Sequence, residues 1–143
     1  MTEEFLELDS EDIRYIHDDQ IEEYGGVYGE HEPGFINLTA EKPFMTLFGE
    51  VKYPSIFQKA AVYIDSFAKN QYFVDGNKRT GVKCALTFLA INGYDLTVDD
   101  YDLFKFTVAV AESSDPTNDY DEITLDEIAE WLEDNSILNY SYW

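Results

Sequence analysis

Between Ser55 and Lys69 the apolar side chains Ile56, Phe57, Ala60, Ala61, Ile64, Phe67 and Ala68 recur at steps of three and four residues. A strand places its apolar residues at every second position, so this spacing predicts a helix with a wide buried stripe. Three other stretches repeat the pattern: Ile13, Ile16, His17, Ile21 and Tyr24; Val82, Ala85, Leu86 and Leu89; Ile128, Trp131 and Leu132. Each is bounded by residues that start or stop helices. Asp9 or Ser10 precedes the first, and Gly25-Gly26 ends it; Pro54 suits the first turn of the Ile56 helix. A helix from about Asn77 to Asn92 stops at Gly93, and Asp99 or Asp100 opens another that runs to about Glu112. Thr124 with Glu127 forms a capping box for the last. A short helical stretch is expected over 35–41, and the aromatic segment 44–53, with Gly49 in its middle, reads as a hairpin-like flap. Tyr94–Val98 reads as an extended link, and 136–143 as an aromatic tail that is disordered or docked on a partner. The expectation is an all-α domain of five or six helices, with little strand and no internal repeat, occupying 1–143 as one unit.

Charge narrows the range of partners. The 143 residues carry 9 Lys+Arg against 30 Asp+Glu, a net charge of −21. Affinity for nucleic acid rests on Lys and Arg neutralising phosphates, so a general DNA or RNA binder is excluded, as is docking on an anionic membrane. The bases are not spread evenly. Residues 42–83 hold Lys42, Lys52, Lys59, Lys69, Lys78, Arg79 and Lys83 against Glu50, Asp65 and Asp75. Arg14 and Lys105 are the only bases outside that stretch. Two readings of it are open: a site for a small anion, or solvated lysines along the 55–69 helix.

No apolar run approaches the roughly 20 residues of a membrane span, and the N-terminus lacks the positive region of a signal peptide. A cytoplasmic protein is expected. Cys84, the single cysteine, lies in the apolar run Val82–Ile91 and reads as a small core residue.

The chemically informative stretch is Gln71-Tyr72-Phe73-Val74-Asp75-Gly76-Asn77-Lys78-Arg79-Thr80-Gly81. A polar loop runs directly into a helix start, where backbone N–H groups are unpaired and the helix dipole favours an anion. Gly76 permits close backbone approach, and Asn77 is of the type that caps helices. Lys78 and Arg79 add positive charge, and Arg grips phosphate in bidentate fashion. Asp75 offers the hard oxygen that Mg²⁺ uses alongside nucleotide phosphates. These residues suit a phosphate and Mg²⁺ cradle, without the glycine spacing of a Walker A loop.

The run Phe73-Val74-Asp75-Gly76-Asn77-Lys78-Arg79-Thr80 resembles the signature of the Fic/Doc family, and Lys78 before Arg79 resembles its death-on-curing (Doc) branch. Upstream, Ile16-His17, Gly25-Gly26, Gly29, Gly34 and Pro43 are similar in spacing to the Doc N-terminal pattern. The resemblance covers roughly 8–135. It implies an all-helical fold with the motif loop between two central helices and a small flap. It also implies a toxin that transfers a phosphoryl or nucleotidyl group from ATP or another nucleoside triphosphate, with Mg²⁺, onto a hydroxyl of a protein target. In the Doc branch that target is a translation elongation factor, and a separate small antitoxin protein neutralises the toxin. Carried over, Asp75 would hold Mg²⁺, and Gly76, Asn77 and Lys78 would line the phosphates. Arg79 would clamp transition-state charge, and Phe73 would anchor the loop.

The pattern breaks at Gln71, where the family has its catalytic histidine, and more mildly at Tyr72, where it has proline. Histidine titrates near pH 6.5 and can take the target's hydroxyl proton. A glutamine amide cannot, although it keeps a hydrogen bond at similar reach. Nucleotide binding is therefore expected to survive and transfer to be strongly reduced. A deliberate change that spares the expressing cell and a naturally inactive relative both fit, and a non-catalytic nucleotide-binding or regulatory module is the alternative function. His17 reads as a structural residue on the apolar face of its helix. His31, where the Doc pattern has arginine, reads as a loop residue between Glu30 and Glu32.

Overall fold

The computed structural model describes residues 4–119 and 121–139. Six helices form as the periodicity requires: α1 (Ser10–Tyr24), α2 (Pro33–Glu41), α3 (Ile56–Lys69), α4 (Asn77–Ile91), α5 (Asp100–Ser113) and α6 (Leu125–Asp134). Four of their starts are fixed by side chains. Asp9, Ser55 and Thr124 each accept the N–H three residues on and complete reciprocal capping boxes with Asp12, Gln58 and Glu127. Asp99 accepts the N–H of Asp102.

The start of α4 is built differently. Its N-cap is Gly76, in the left-handed region at φ 74, with no side-chain bond to the first turn. Asn77 is therefore the first helical residue rather than the cap.

Helix α3 forms the centre of the molecule and packs against α4, α5 and α6. Ala60, Ala61, Val62, Tyr63 and Ile64 are all buried, so this helix is enclosed on every side over that turn. At Gly81 a Cβ atom would lie 3.1 Å from Phe67 Cβ and 3.1 Å from the Tyr63 carbonyl oxygen, which is why α4 can lie so close to α3. Cys84 is fully buried at the same contact, and burial pushes its thiol well above the usual range, as expected of an inert core cysteine.

The helix 55–69 does not carry solvated lysines. Lys59 is 4% exposed, and its ammonium donates to the carbonyls of Pro43 at 3.2 Å and Tyr53 at 2.5 Å. The rings of Phe5 and Phe44 flank it, and burial lowers its pKa. Lys69 pairs with Asp65 at 2.7 Å and Glu122 at 3.0 Å and donates to the Ile123 carbonyl, which ties α3 to the segment before α6.

The flap is a two-residue hairpin, β1 (Thr46–Leu47) paired antiparallel with β2 (Glu50–Val51), after a 3₁₀ turn over Lys42–Phe44. Phe48 and Gly49 at its tip both have positive φ, as tight hairpins with the right twist require. The phenyl ring of Phe48 is 97% exposed.

The expectation for the C-terminal tail also fails. Residues 136–138 are not tail but a strand, β4 (Ser136–Leu138), paired antiparallel with β3 (Tyr94–Leu96). Short apolar segments such as Tyr94–Leu96 carry no periodicity that predicts a partner 40 residues away. Tyr140, Tyr142 and Trp143 lie outside the described residues. No helix among the described residues is long and apolar enough to cross a membrane.

Two substitutions in the α3–α4 contact have opposite expected signs. The Tyr63 hydroxyl is buried with no hydrogen-bond partner among the described residues, so Tyr63→Phe should stabilise the fold by about 1 kcal/mol. Gly81→Val should destabilise it by about 1–3 kcal/mol through overpacking. Urea denaturation midpoints at unchanged slope measure both.

Candidate functional site

Asn77 holds the motif loop in shape. Its carboxamide oxygen accepts the Phe73 N–H at 2.9 Å, and its Nδ2 donates to the Phe73 carbonyl at 2.9 Å and to Gln71 Oε1 at 3.1 Å. One side chain thereby satisfies both backbone groups of a residue that is itself buried. What Asn77 offers an anion is its backbone N–H, since the carboxamide is turned into the loop. Gln71 is exposed and joined to the loop through that third bond.

Phe73 is fixed from the other side by α1. The His17 ring stacks on it with centroids 3.7 Å apart and planes 7° from parallel, and Phe67 stacks on it at 5.7 Å. His17 Nε2 donates to the Asp75 carbonyl at 2.8 Å, and Nδ1 lies 3.0 Å from Asp18. His17 is thus a buried support beneath the loop. His31 is an exposed residue whose N–H donates to the Tyr72 carbonyl. No group of three metal-ligating side chains occurs among the described residues.

The loop between α1 and α2 forms one wall of the site. It runs antiparallel to the motif, with the Val74 N–H on the Gly29 carbonyl and a bridge between Glu30 and Phe73. Arg14 fastens it through a two-pronged pair with Glu30 at 3.0 and 3.2 Å. At the loop's start, the Val27 N–H donates to Asp75 Oδ2 at 3.2 Å, and Arg79 Nη2 donates to the Gly25 carbonyl at 3.1 Å. A Cβ at Gly26 would meet Asp75 Oδ2 at 2.7 Å, and φ there is 129, so this position admits glycine alone. Arg79 also lies over the Tyr24 ring at 5.5 Å.

What results is a polar cavity of about 210 Å³ lined by Gln71, Asp75, Gly76, Asn77, Lys78, Arg79 and Phe104. The backbone N–H groups of Asn77, Lys78 and Arg79 form the first turn of α4 and have no acceptor among the described residues. Gly76, lacking a side-chain cap, leaves them open. Three donors, a helix dipole and two cations converge there, an arrangement suited to phosphate oxygens. Asp75 supplies one carboxylate. Each of its oxygens accepts one backbone N–H, from Gly76 and Val27, and keeps a lone pair free. That donor set fits Mg²⁺ arriving with a nucleotide, which needs one or two carboxylates besides phosphates and water.

Gln71 and Asp75–Arg79 line one cavity, as their adjacency in the chain demands. Sequence reasoning missed the contributions of Gly25–Val27 and the stacking of His17. The Gly25-Gly26 pair was the available signal, since a second glycine is superfluous for ending a helix.

Loss of the Asn77 carboxamide strands the Phe73 N–H in the interior. Asn77→Ala should therefore cost about 1–3 kcal/mol of stability although alanine is the better helix former. Thermal or urea unfolding gives the value, and an unchanged midpoint would contradict this role.

The chain is similar to known proteins. The sequence model of the Fic/DOC family matches residues 7–89, which span α1 through most of α4. A protein named Toxin Doc from Mycolicibacterium smegmatis (strain ATCC 700084 / mc(2)155) is 40% identical over 76 residues. That match takes in 53% of this chain and 58% of the mycobacterial protein, less than two thirds of its length. A protein named Protein kinase doc from Escherichia phage P1 is 34% identical over 107 residues, 73% of this chain and 81% of the phage protein. With the motif loop, its support on α1 and these matches together, the chain belongs to the Fic/DOC family.

Proposed function

We propose that this chain is a Doc-type toxin scaffold that binds a nucleoside triphosphate with Mg²⁺ at the start of α4, and that its transfer step is impaired at Gln71. The observation that carries the reading is the uncapped first turn of α4, with Lys78 and Arg79 beside three unpaired N–H groups. The names of the mycobacterial and phage relatives, a toxin and a protein kinase, favour phosphoryl transfer over AMP transfer.

In the phosphoryl reaction the hydroxyl oxygen of a target protein attacks the γ-phosphorus. The bond from that phosphorus to the bridging oxygen breaks, and the nucleoside diphosphate leaves. The α4 amides, Lys78 and Arg79 hold phosphate charge in place as it shifts. Asp75 would hold Mg²⁺, whose charge neutralises phosphate oxygens. The hydroxyl proton must go to a base, and at position 71 the amide offers none. Gln71 preserves the loop through its bond to Asn77 and so spares the binding surface while removing the proton acceptor.

A translation elongation factor is the proposed target class, and a separate small protein is the proposed antitoxin; ATP is the proposed nucleotide. The second reading, a nucleotide-binding module without transfer, is favoured by that same bond from Gln71 to Asn77.

The purified chain and Gln71→His are incubated with Mg·ATP labelled at the γ- or the α-phosphate and with cell extract. Restoring the histidine should raise γ-label transfer by roughly 10²–10⁴-fold. Movement of the α-label instead would assign AMP transfer. If neither label moves while Mg·ATP still binds, the non-catalytic reading holds.

A further inference from the structure

We propose that the cavity at the foot of the flap binds an apolar α-amino acid as its zwitterion, with the carboxylate on Lys59 and the ammonium on Glu7. The cavity measures about 380 Å³. It is lined by Glu4, Phe5 and Glu7 of the N-terminal segment, Phe44 and Val51 at the base of the hairpin, and Lys59 of α3. Ligand sites run from about 300 to 1,000 Å³, so this one suits a small molecule. It stands apart from the motif loop. The Phe44 ring packs edge-on against Phe88, in the last turn of α4, with centroids 6.0 Å apart. At 1.5 Å per residue, Phe88 lies roughly 16 Å along the helix axis from Asn77.

Lys59 supplies the observation that points to a ligand. Its side chain is buried, and its ammonium lies between the rings of Phe5 and Phe44, which line the same cavity. An ammonium has three hydrogens to donate. The carbonyls of Pro43 and Tyr53 take two, and the third has no acceptor among the described residues. Buried donors are ordinarily satisfied, and a buried charge without its full set of partners is costly. The Glu7 carboxylate acts on Lys59 through space, yet the two form no ion pair. A cation on one wall and a carboxylate on another thus face a common space without touching. A plain anion there meets repulsion from Glu4 and Glu7, and a plain cation meets repulsion from Lys59. A molecule with a carboxylate and an ammonium on one carbon satisfies both walls at once. The rings of Phe5 and Phe44 and the methyl groups of Val51 then offer apolar contact to its side chain.

The test is calorimetry on the full chain with L-phenylalanine and L-leucine, each set against analogues that lack one charge. Hydrocinnamate and isocaproate lack the ammonium; phenethylamine and isoamylamine lack the carboxylate. At least one of the two amino acids should bind, and both of its analogues should bind about tenfold more weakly or worse. Glu7 is exposed, so Glu7→Gln leaves the fold intact. It should weaken the amino acid by about threefold or more and leave the carboxylate analogue unweakened. Lys59→Met keeps the apolar stem and should abolish binding of the amino acid, with circular dichroism to verify its fold. Three results would each overturn the proposal: no binding of either amino acid to the unaltered chain, equal affinity for a bound amino acid and one of its analogues, or unchanged affinity in Glu7→Gln.

Discussion

The arrangement depends on one buried carboxamide. Asn77 closes its oxygen and nitrogen on the two backbone groups of Phe73 and so folds the motif back against the first turn of α4. The loop needs this because Phe73 is drawn into the core between His17 and Phe67, and its backbone goes with it, away from water. An apolar anchor and a polar tether therefore require each other. With Phe73 exposed the carboxamide would be dispensable, and without the carboxamide the ring could enter the core only by stranding its own amide. The functional groups Asp75, Lys78 and Arg79 sit on the rim of this locked turn, and their spacing is inherited from it.

The same economy governs charge. Most of the bases in 42–83 have structural duties in the fold. Lys59 is interior, Lys69 is paired twice, Lys83 lies 3.6 Å from Asp100, and Lys52 lies over Tyr53. Lys78 and Arg79 differ in standing beside donors that the helix leaves open. The choice between an anion site and solvated lysines was thus too coarse: several of the lysines are neither. In a chain of net charge −21, the long-range field repels anions, so affinity for a triphosphate has to come from contacts made at close range, where screening and distance dilute the acidic surroundings.

The helices were legible from local evidence: an apolar stripe of period three to four in α1, α3, α4 and α6, and side-chain caps at the starts of α1, α3, α5 and α6. Thr124 with Glu127 is a local statement about local structure, whereas Pro54, expected in the first turn of α3, stands one residue before its N-cap Ser55. The pairing of Tyr94–Leu96 with Ser136–Leu138 was not legible, because three-residue strands have no period and their partners are distant. The capping role expected of Asn77 failed for an instructive reason. Asparagine is favoured at caps by its side-chain oxygen, but here the same oxygen serves a residue upstream, and glycine takes the cap. A composition rule records which residues bond to backbone and leaves open which backbone they choose. Within the site, adjacency in sequence delivered Asp75–Arg79, whereas His17, Gly25 and Gly26 come from a different helix and its following loop and needed the fold to bring them near.

Lys59 has a consequence for the hairpin that stands over it. Its ammonium joins the carbonyl of Pro43 to that of Tyr53, on either side of β1 and β2. The intervening chain is thereby closed into a ring, as a disulfide would close it, but by two hydrogen bonds that a single proton-bearing group supplies. Ring closure removes the freedom of the two stems to separate, so the hairpin with Phe48 at its tip is held together at its base. Acetylation of that amine would remove its charge and two of its three hydrogens, opening the ring without cutting the chain.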